Sequence, residues 1–363
     1  MPPAPSLTRA IAQTAETLLI ALAGGATFTL LGFPAGLISG SVLAVATAAL
    51  LGRPVGVPVA LAWAGYVLIG ILLGAVVTPQ TVKGFTAWPV SIALVMVGAI
   101  CMMLTTASYL RAVHGWDRLS ALLGASPGSM AQVIALSTAL GANLPPIAIV
   151  QTMRVLLLTT GIPAGLAAFG LVAPALPVSR GPPGGSSLSE LALLVAVSAT
   201  TAVIFWRLRF PAGLLFGAMV GSGLLHGFGI LRAVPPWWIG SASVLVLGAM
   251  VGSRFANQTF RLLASYLGAA FGSFAVSLSV ATFFVLIVAY FFPFPFANIA
   301  VAFSPGAQDT MMVLALALHL DPVFVAAHHV ARFVVTSFAI AFGARWIARA
   351  NKAAAPPGKD NAL

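Results

Sequence analysis

From Leu262 to Phe291 the chain runs for thirty residues without a charged side chain. Coiled at 1.5 Å per residue, a run of that length exceeds the ~30 Å hydrocarbon core of a bilayer. Nine further apolar segments are long enough to cross or nearly cross: about 13–31, 35–51, 58–77, 87–110, 145–172, 188–206, 211–230, 236–253 and 322–344. Only 6% of the residues are charged and 60% are hydrophobic, against about 25% charged in soluble domains, so the chain cannot cover a water-facing surface. The fold class is therefore an all-α polytopic membrane protein whose first partner is the lipid bilayer. The net charge of +11 comes from basic residues scattered singly between apolar runs, the pattern of loop charges that orient helices and not of a nucleic-acid-binding module. Cys101 is the single cysteine, so a disulfide or a cysteine metal cluster is not expected. The opening apolar run continues without a convincing cleavage site and has a counterpart later in the chain, which reads as a retained first helix.

The chain repeats itself. FPAGLISG at Phe33–Gly40 returns as FPAGLLFG at Phe210–Gly217, offset 177, and Ser126-Pro127-Gly128 returns as Ser304-Pro305-Gly306, offset 178. The second offset pairs Gln151 with His329 and Arg154 with Arg332, leaving 26 residues from glycine to arginine in both copies. A near-constant offset over this distance predicts an internal duplication. The division expected is a first membrane repeat over 1–178, a Pro/Gly/Ser-rich linker at 179–190, a second repeat over 191–350 and a disordered cytoplasmic tail at 351–363. The repetition also disposes of a hydrolase reading. Gly124-Ala-Ser126-Pro-Gly128 matches G-x-S-x-G, but the second copy begins with Ala302 and neither follows a strand pattern.

Each copy holds five apolar segments with the Ser-Pro-Gly segment, about 119–140 and 297–319, between the fourth and fifth. If those segments are re-entrant hairpins and the N-terminus is cytoplasmic, 12 basic residues lie inside and 3 (Lys83, Arg180 and Arg232) outside; full crossings give 10 to 5. The positive-inside rule favours hairpins, which make each half an odd number of crossings and hence inverted relative to the other, an arrangement common in secondary transporters. The expected setting is a bacterial inner membrane with both termini cytoplasmic.

In this topology Ser126 and Ser304 sit at the hairpin tips, where each is expected to N-cap the following helix. Arg154 lies nine residues after Pro145 and Arg332 ten after Pro322, roughly 13–15 Å into their helices and near the midplane. A charge there costs about 2.5–3.5 kcal/mol on the gentler insertion scale. Two readings account for the pair. Either each arginine is structural, bonding the carbonyl ends of a broken helix or pairing with Asp309, or the arginines and the helix N-termini form an anion site. Candidate binding residues are Ser126, Gly128, Ser129, Gln151 and Arg154 in one copy, and Ser304, Gly306, Asp309, His329 and Arg332 in the other. Asp309, His328 and His329 are candidates for carrying a coupling proton, with a simple Asp309–Arg332 neutralisation as the competing reading. Adjacent histidines point about 100° apart on a helix, so no metal site, cofactor or catalytic residue is assigned.

The duplicated Ser-Pro-Gly, followed by Q-x-x-R in one half and H-H-x-x-R in the other, resembles the AbrB family of bacterial membrane proteins over about residues 15–347. The resemblance places Ser126, Pro127, Gly128, Gln151, Arg154, Ser304, Pro305, Gly306, His329 and Arg332 in the family's motifs. It departs at Ser129 and Ala307, where a second glycine is usual, and at Gln132, where an acid is common. The family is often labelled an ammonia monooxygenase, and one member is described as a regulator of gene expression. Five histidines with one adjacent pair do not suggest a copper site, and tails of roughly 12–16 residues are too short for a DNA-binding module. The reading is a secondary transporter for a small organic anion, with no nucleic-acid partner and a homo-oligomer left open. A membrane-embedded regulator or sensor and a membrane oxidoreductase are the alternatives.

Overall fold

The computed structural model of the protein describes residues 7–77, 87–127, 130–172, 187–256 and 258–354. Every regular element among them is helical. In chain order these are α1 (Leu7–Leu30), α2 (Gly36–Leu50), α3 (Val59–Ala75), α4 (Pro89–His114), α5 (Arg118–Ala125), α6 (Met130–Leu140), α7 (Leu144–Ala168), α8 (Leu188–Arg207), α9 (Gly213–Gly227), α10 (Trp237–Gly252), α11 (Phe260–Phe291), α12 (Phe296–Phe303), α13 (Gln308–Ala317) and α14 (Pro322–Ala354). A 3₁₀ turn, Ser253–Phe255, extends α10. Seven helices are long and apolar enough to cross a membrane: α1, α4, α7, α8, α10 with its 3₁₀ turn, α11 and α14. Helices α2, α3 and α9 are apolar but shorter, and they lie among the longer ones. The protein is a polytopic helical membrane protein.

The expected linker falls mostly on residues 173–186, outside the described residues, and α8 opens at its end on a capping box between Ser187 and Glu190. The expected disordered tail starts too early, because α14 continues to Ala354. Glu16 also takes a specific partner. It lies well inside α1 and reaches Arg53 at 2.6 Å, so it is an ion-pair partner and not a charge on the helix dipole.

The local structure of the two halves corresponds. Ala35 and Ala212, from the two FPAG strings, both take a left-handed backbone (φ 52° and 47°) just before α2 and α9. A non-glycine residue rarely adopts this conformation. It brings the next glycine onto the preceding helix: a Cβ on Gly36 would lie 2.6 Å from the Thr29 nitrogen, and one on Gly213 2.8 Å from the Phe205 carbonyl carbon.

Glycine contacts also fix the helix directions. On α3, Gly70 faces Leu215 and Ala218 while Gly74 faces Met219 and Ser222, so α3 and α9 are parallel. On α10, Gly248 faces Ile38 and Ser41 while Gly252 faces Val42 and Val45, so α10 and α2 are parallel. Gly65 meets Leu247 and Gly240 meets Leu72, so α3 and α10 are antiparallel. It follows that α2 and α9, which carry the same motif, run in opposite directions. The same holds for α4 and α11, where Gly98 meets Phe284 and Gly268 meets His114. This is the geometry expected of inverted halves.

Helices α1–α3 and α8–α10 pack chiefly on one another, and α4–α7 with α11–α14 form a second group. The groups meet where α2 touches α7, with Ser39 Oγ donating to the Thr159 carbonyl at 2.7 Å, and where α13 touches α3 and α10.

Helices α5 and α6 have 8 and 11 residues, about 12 and 16 Å, so neither crosses alone. The Asn143 amide, just past α6, donates to Ser120 Oγ at the start of α5 (3.0 Å). The Asp321 amide donates likewise to Asn298 Oδ1 at the start of α12 (3.2 Å). Each pair therefore returns to the face from which it came, as a re-entrant hairpin does. Because α4 and α11 are antiparallel and lead directly into them, the hairpins enter from opposite faces. The same directions put Arg53, Arg111, Arg118, Arg207, Arg209, Arg254, Arg261 and Arg345 on one face and Arg232 on the other.

A methyl group tests this close packing. On Gly74 its carbon would lie 2.5 Å from the Met219 carbonyl oxygen, whereas on Gly161 of α7 nothing lies within 4 Å. Gly74→Ala should lower the thermal midpoint of the purified protein, overpacking costing about 1–3 kcal/mol. Gly161→Ala should hold or raise it, alanine being the better helix former by up to about 1 kcal/mol. Equal midpoints would contradict the packing described.

Candidate functional site

The hairpin tips are made by proline. Pro127 and Pro305 bar the residue before them from helical backbone, and Ser126 (ψ 125°) and Ser304 (ψ 141°) are extended. The serines therefore end α5 and α12 and do not N-cap the helices that follow, contrary to expectation. Ser304 Oγ turns back to the Val301 carbonyl at 2.8 Å and to Met311 Sδ at 3.0 Å. Ser126 Oγ is buried with no partner among the described residues. Past the second tip, α13 begins at Gln308 behind Ala307, without a side-chain cap. Gly128 and Ser129 of the first tip lie outside the described residues.

Both arginines reach the carbonyl ends of the half-helices. Arg154 Nη2 donates to the Ser126 carbonyl at 2.8 Å and Nη1 to that of Ala125 at 3.5 Å. Arg332 Nη1 donates to the Ser304 carbonyl, while Nη2 donates to Gly306 at 2.6 Å and to His329 Nδ1 at 2.8 Å. Ten residues separate Leu144 from Arg154 and Pro322 from Arg332, about 15 Å of helix, half of a ~30 Å core. The structural role expected of the arginines is thus present, with carbonyls as acceptors and not Asp309. It leaves capacity over. The Nε–H of each arginine is buried without a partner among the described residues, although the side chains are only 5% and 1% exposed.

Neighbouring residues hold this geometry. Gln151 Nε2 donates to the Leu123 carbonyl at 2.9 Å and His329 Nε2 to that of Val301 at 3.1 Å. His329 has its hydrogen on Nε2 and accepts from Arg332 at Nδ1, which assigns it one neutral tautomer. His328 points elsewhere, to the Phe324 carbonyl (2.7 Å) and Ser91 Oγ (2.9 Å), beneath Trp88. Gln132 bonds Ser337 Oγ at 3.0 Å, away from the arginines.

Asp309 is bonded to neither Arg332 nor a histidine among the described residues. Its Oδ2 accepts from Tyr66 Oη at 2.7 Å and from Arg254 Nη2 at 3.2 Å, and its Oδ1 accepts from the Thr310 amide at 2.8 Å. Tyr66 comes from α3 and Arg254 from the turn after α10, so this cluster ties the second hairpin to the other group of helices. Sequence reasoning missed both residues. At the duplication offset of 178 they correspond to Val244 and Val76, and Asp309 to Ala131, so no repeated pattern marks them. Arg254 read simply as a loop charge.

The tips meet at a cavity of about 390 Å³. Of the candidates, Gln151, Arg154, Asp309, His329 and Arg332 line it, joined by Pro127, Gln308, Tyr66 and Arg254. Ser126, Ser304 and Gly306 stand behind the lining; the carbonyls of all three hold the arginines. Gln308 Nε2 is a third buried donor without a partner among the described residues. Trp63, Trp206 and Phe210 form an apolar wall. Among the described residues no group of three His, Cys, Asp or Glu side chains is placed to hold a metal ion. The free groups at the centre of this cavity are donors, and the one carboxylate among the described lining residues, Asp309, is already saturated.

Removing either arginine uncovers its acceptors, and the numbers differ. Arg332→Gln strands two carbonyls and His329 Nδ1, Arg154→Gln two carbonyls, one of them held at long range. With charged hydrogen bonds worth about 1.5–3 kcal/mol each, Arg332→Gln should lower the thermal midpoint clearly more than Arg154→Gln. The reverse order, in the same detergent, would show that these bonds do not hold the tips.

The sequence that builds this site is similar to known proteins. Residues 37–348 match the family model described as "Transition state regulatory protein AbrB". The chain is 25% identical over 346 residues to "Uncharacterized protein YhjN" of Bacillus subtilis (strain 168), covering 88% of each chain. It is 24% identical over 315 residues to "Putative regulator AbrB" of Escherichia coli (strain K12), covering 81% of this chain and 84% of that one. With tips, arginines and helix order as described, this chain belongs to the AbrB family.

Proposed function

We propose that the protein is a secondary transporter of a small organic anion in the bacterial inner membrane, built as two inverted repeats with both termini cytoplasmic. One observation carries this reading. Arg154, Arg332 and Gln308 each present a buried N–H without a partner among the described residues, and all three line one cavity. Unmet buried donors are costly, and an acceptor-rich anion would satisfy them together. The N-terminus of α13 adds the positive end of a helix dipole to the same space.

The cavity extends toward Trp206, Phe210 and Arg254, all on the face that carries most of the arginines. The positive-inside rule makes that face cytoplasmic. The hairpins belong to one group of helices and most of the wall to the other, so relative movement of the groups would expose the tips alternately. Asp309 is the acceptor for a coupling proton in this scheme, because protonation would release Tyr66 and Arg254 together.

The test is uptake of labelled carboxylates into proteoliposomes, with and without a pH gradient. Arg154→Gln and Arg332→Gln should each weaken apparent affinity about ten- to a hundredfold, one charge-assisted interaction being worth about 1.5–3 kcal/mol. Lysine should rescue only in part, lacking the planar fork of arginine. Glutamine variants that transport like the wild type would refute the arginine site. The regulator named among the relatives makes a different prediction, binding without flux. Orientation is tested separately. A cysteine at exposed Ser189, in a Cys101→Ala background, should react with an impermeant thiol reagent from the periplasmic side, and reaction from the cytoplasm alone would reverse the topology.

A further inference from the structure

The charges around the cavity do not cancel, and the remainder is informative. Arg154, Arg254 and Arg332 contribute three positive charges, and Asp309 one negative charge paired with Arg254 at 3.2 Å. His329 is neutral, since it donates from Nε2 to the Val301 carbonyl and accepts from Arg332 at Nδ1. Helix dipoles do not change the balance, because two C-terminal ends (α5, α12) and two N-terminal ends (α6, α13) meet at the tips with opposite signs. Two positive charges are left at about the middle of the membrane. They lie on separate hairpins, line one cavity, and each has a buried Nε–H without a partner.

Resting on the anion reading above, we propose that the ligand is a compact dianion, such as a short dicarboxylate, with one charged group on each arginine. A monoanion would leave a net positive charge in a poorly solvated site, where an uncompensated charge is expensive. A dianion balances the site and gives each Nε–H its own acceptor. The cavity, about 390 Å³, is at the small end of the ~300–1,000 Å³ range for ligand pockets. Trp63 and Phe210 offer its carbon chain an apolar wall.

Charge counting gives the test, by equilibrium binding to the full-length protein in detergent. The probes are malonate, succinate and glutarate against acetate, propionate and butyrate. The wild type should bind the best dicarboxylate at least tenfold more tightly than the best monocarboxylate. Arg254→Gln frees Asp309 and lowers the balance from +2 to +1, so the preference should fall about tenfold or reverse. Arg254→Gln combined with Asp309→Asn restores +2 and should restore the preference. Asp309→Asn alone, at +3, should raise the preference severalfold, since an added positive charge attracts a dianion more than a monoanion; this variant gives the answer if an unpaired Asp309 prevents Arg254→Gln from folding. Monocarboxylates binding as tightly as dicarboxylates, or a preference indifferent to these variants, would overturn the dianion while leaving an anion transporter standing. Binding of neither class, with no uptake, would remove both.

Discussion

A guanidinium that caps the carbonyl end of a broken helix is the interaction on which the centre of this protein depends. A polypeptide may stop being helical inside a membrane only where its freed backbone groups find partners. Pro127 and Pro305 force that stop, and the strand of carbonyls they leave (Ala125 and Ser126, Ser304 and Gly306) is taken by Arg154 and Arg332. The arginines need acceptors as much as the tips need donors, so each removes the other's penalty. Neither a hairpin without its arginine nor an arginine without its hairpin would be tolerable at that depth.

Close approach between helices sets the frame for this pairing. Membrane helices gain little by hiding apolar surface from one another, and small residues that let backbones touch replace that driving force. Gly70 and Gly74 against α9, and Gly248 and Gly252 against α2, are the same contact made twice, 178 residues apart. Each half thus completes the other's packing, which brings the two tips to one cavity from opposite faces.

Much of this was legible in the sequence, for identifiable reasons. The apolar runs, the paired motifs and the lopsided arginines each answer to a strong constraint, and together they anticipate the helices, the broken segments at Ser-Pro-Gly and the reach of Arg154 and Arg332 to their carbonyl ends. The errors were local. Serine is a common N-cap, which is the reading its place before a helix suggests, but the restriction imposed by the following proline prevails and makes Ser126 and Ser304 the extended residues just past the ends of the preceding helices. For Asp309 the motif offers only Arg332 and the neighbouring histidines, whereas its partners Tyr66 and Arg254 come from distant segments whose counterparts are valines. A duplication reveals what both copies keep; it is silent about what only one has acquired.

That one-sided cluster has a consequence for the energy landscape. In an ideal inverted repeat the two halves can trade conformations, and the inward and outward forms are mirror states of equal energy. Here the trade would set Val244, Ala131 and Val76 where Tyr66, Asp309 and Arg254 now stand. An ion pair and a phenol hydrogen bond are available to one form only. The two wells are therefore unequal. If the proposed transport proceeds by that exchange, the form with its cavity toward the arginine-rich face is the lower well by the energy of this cluster.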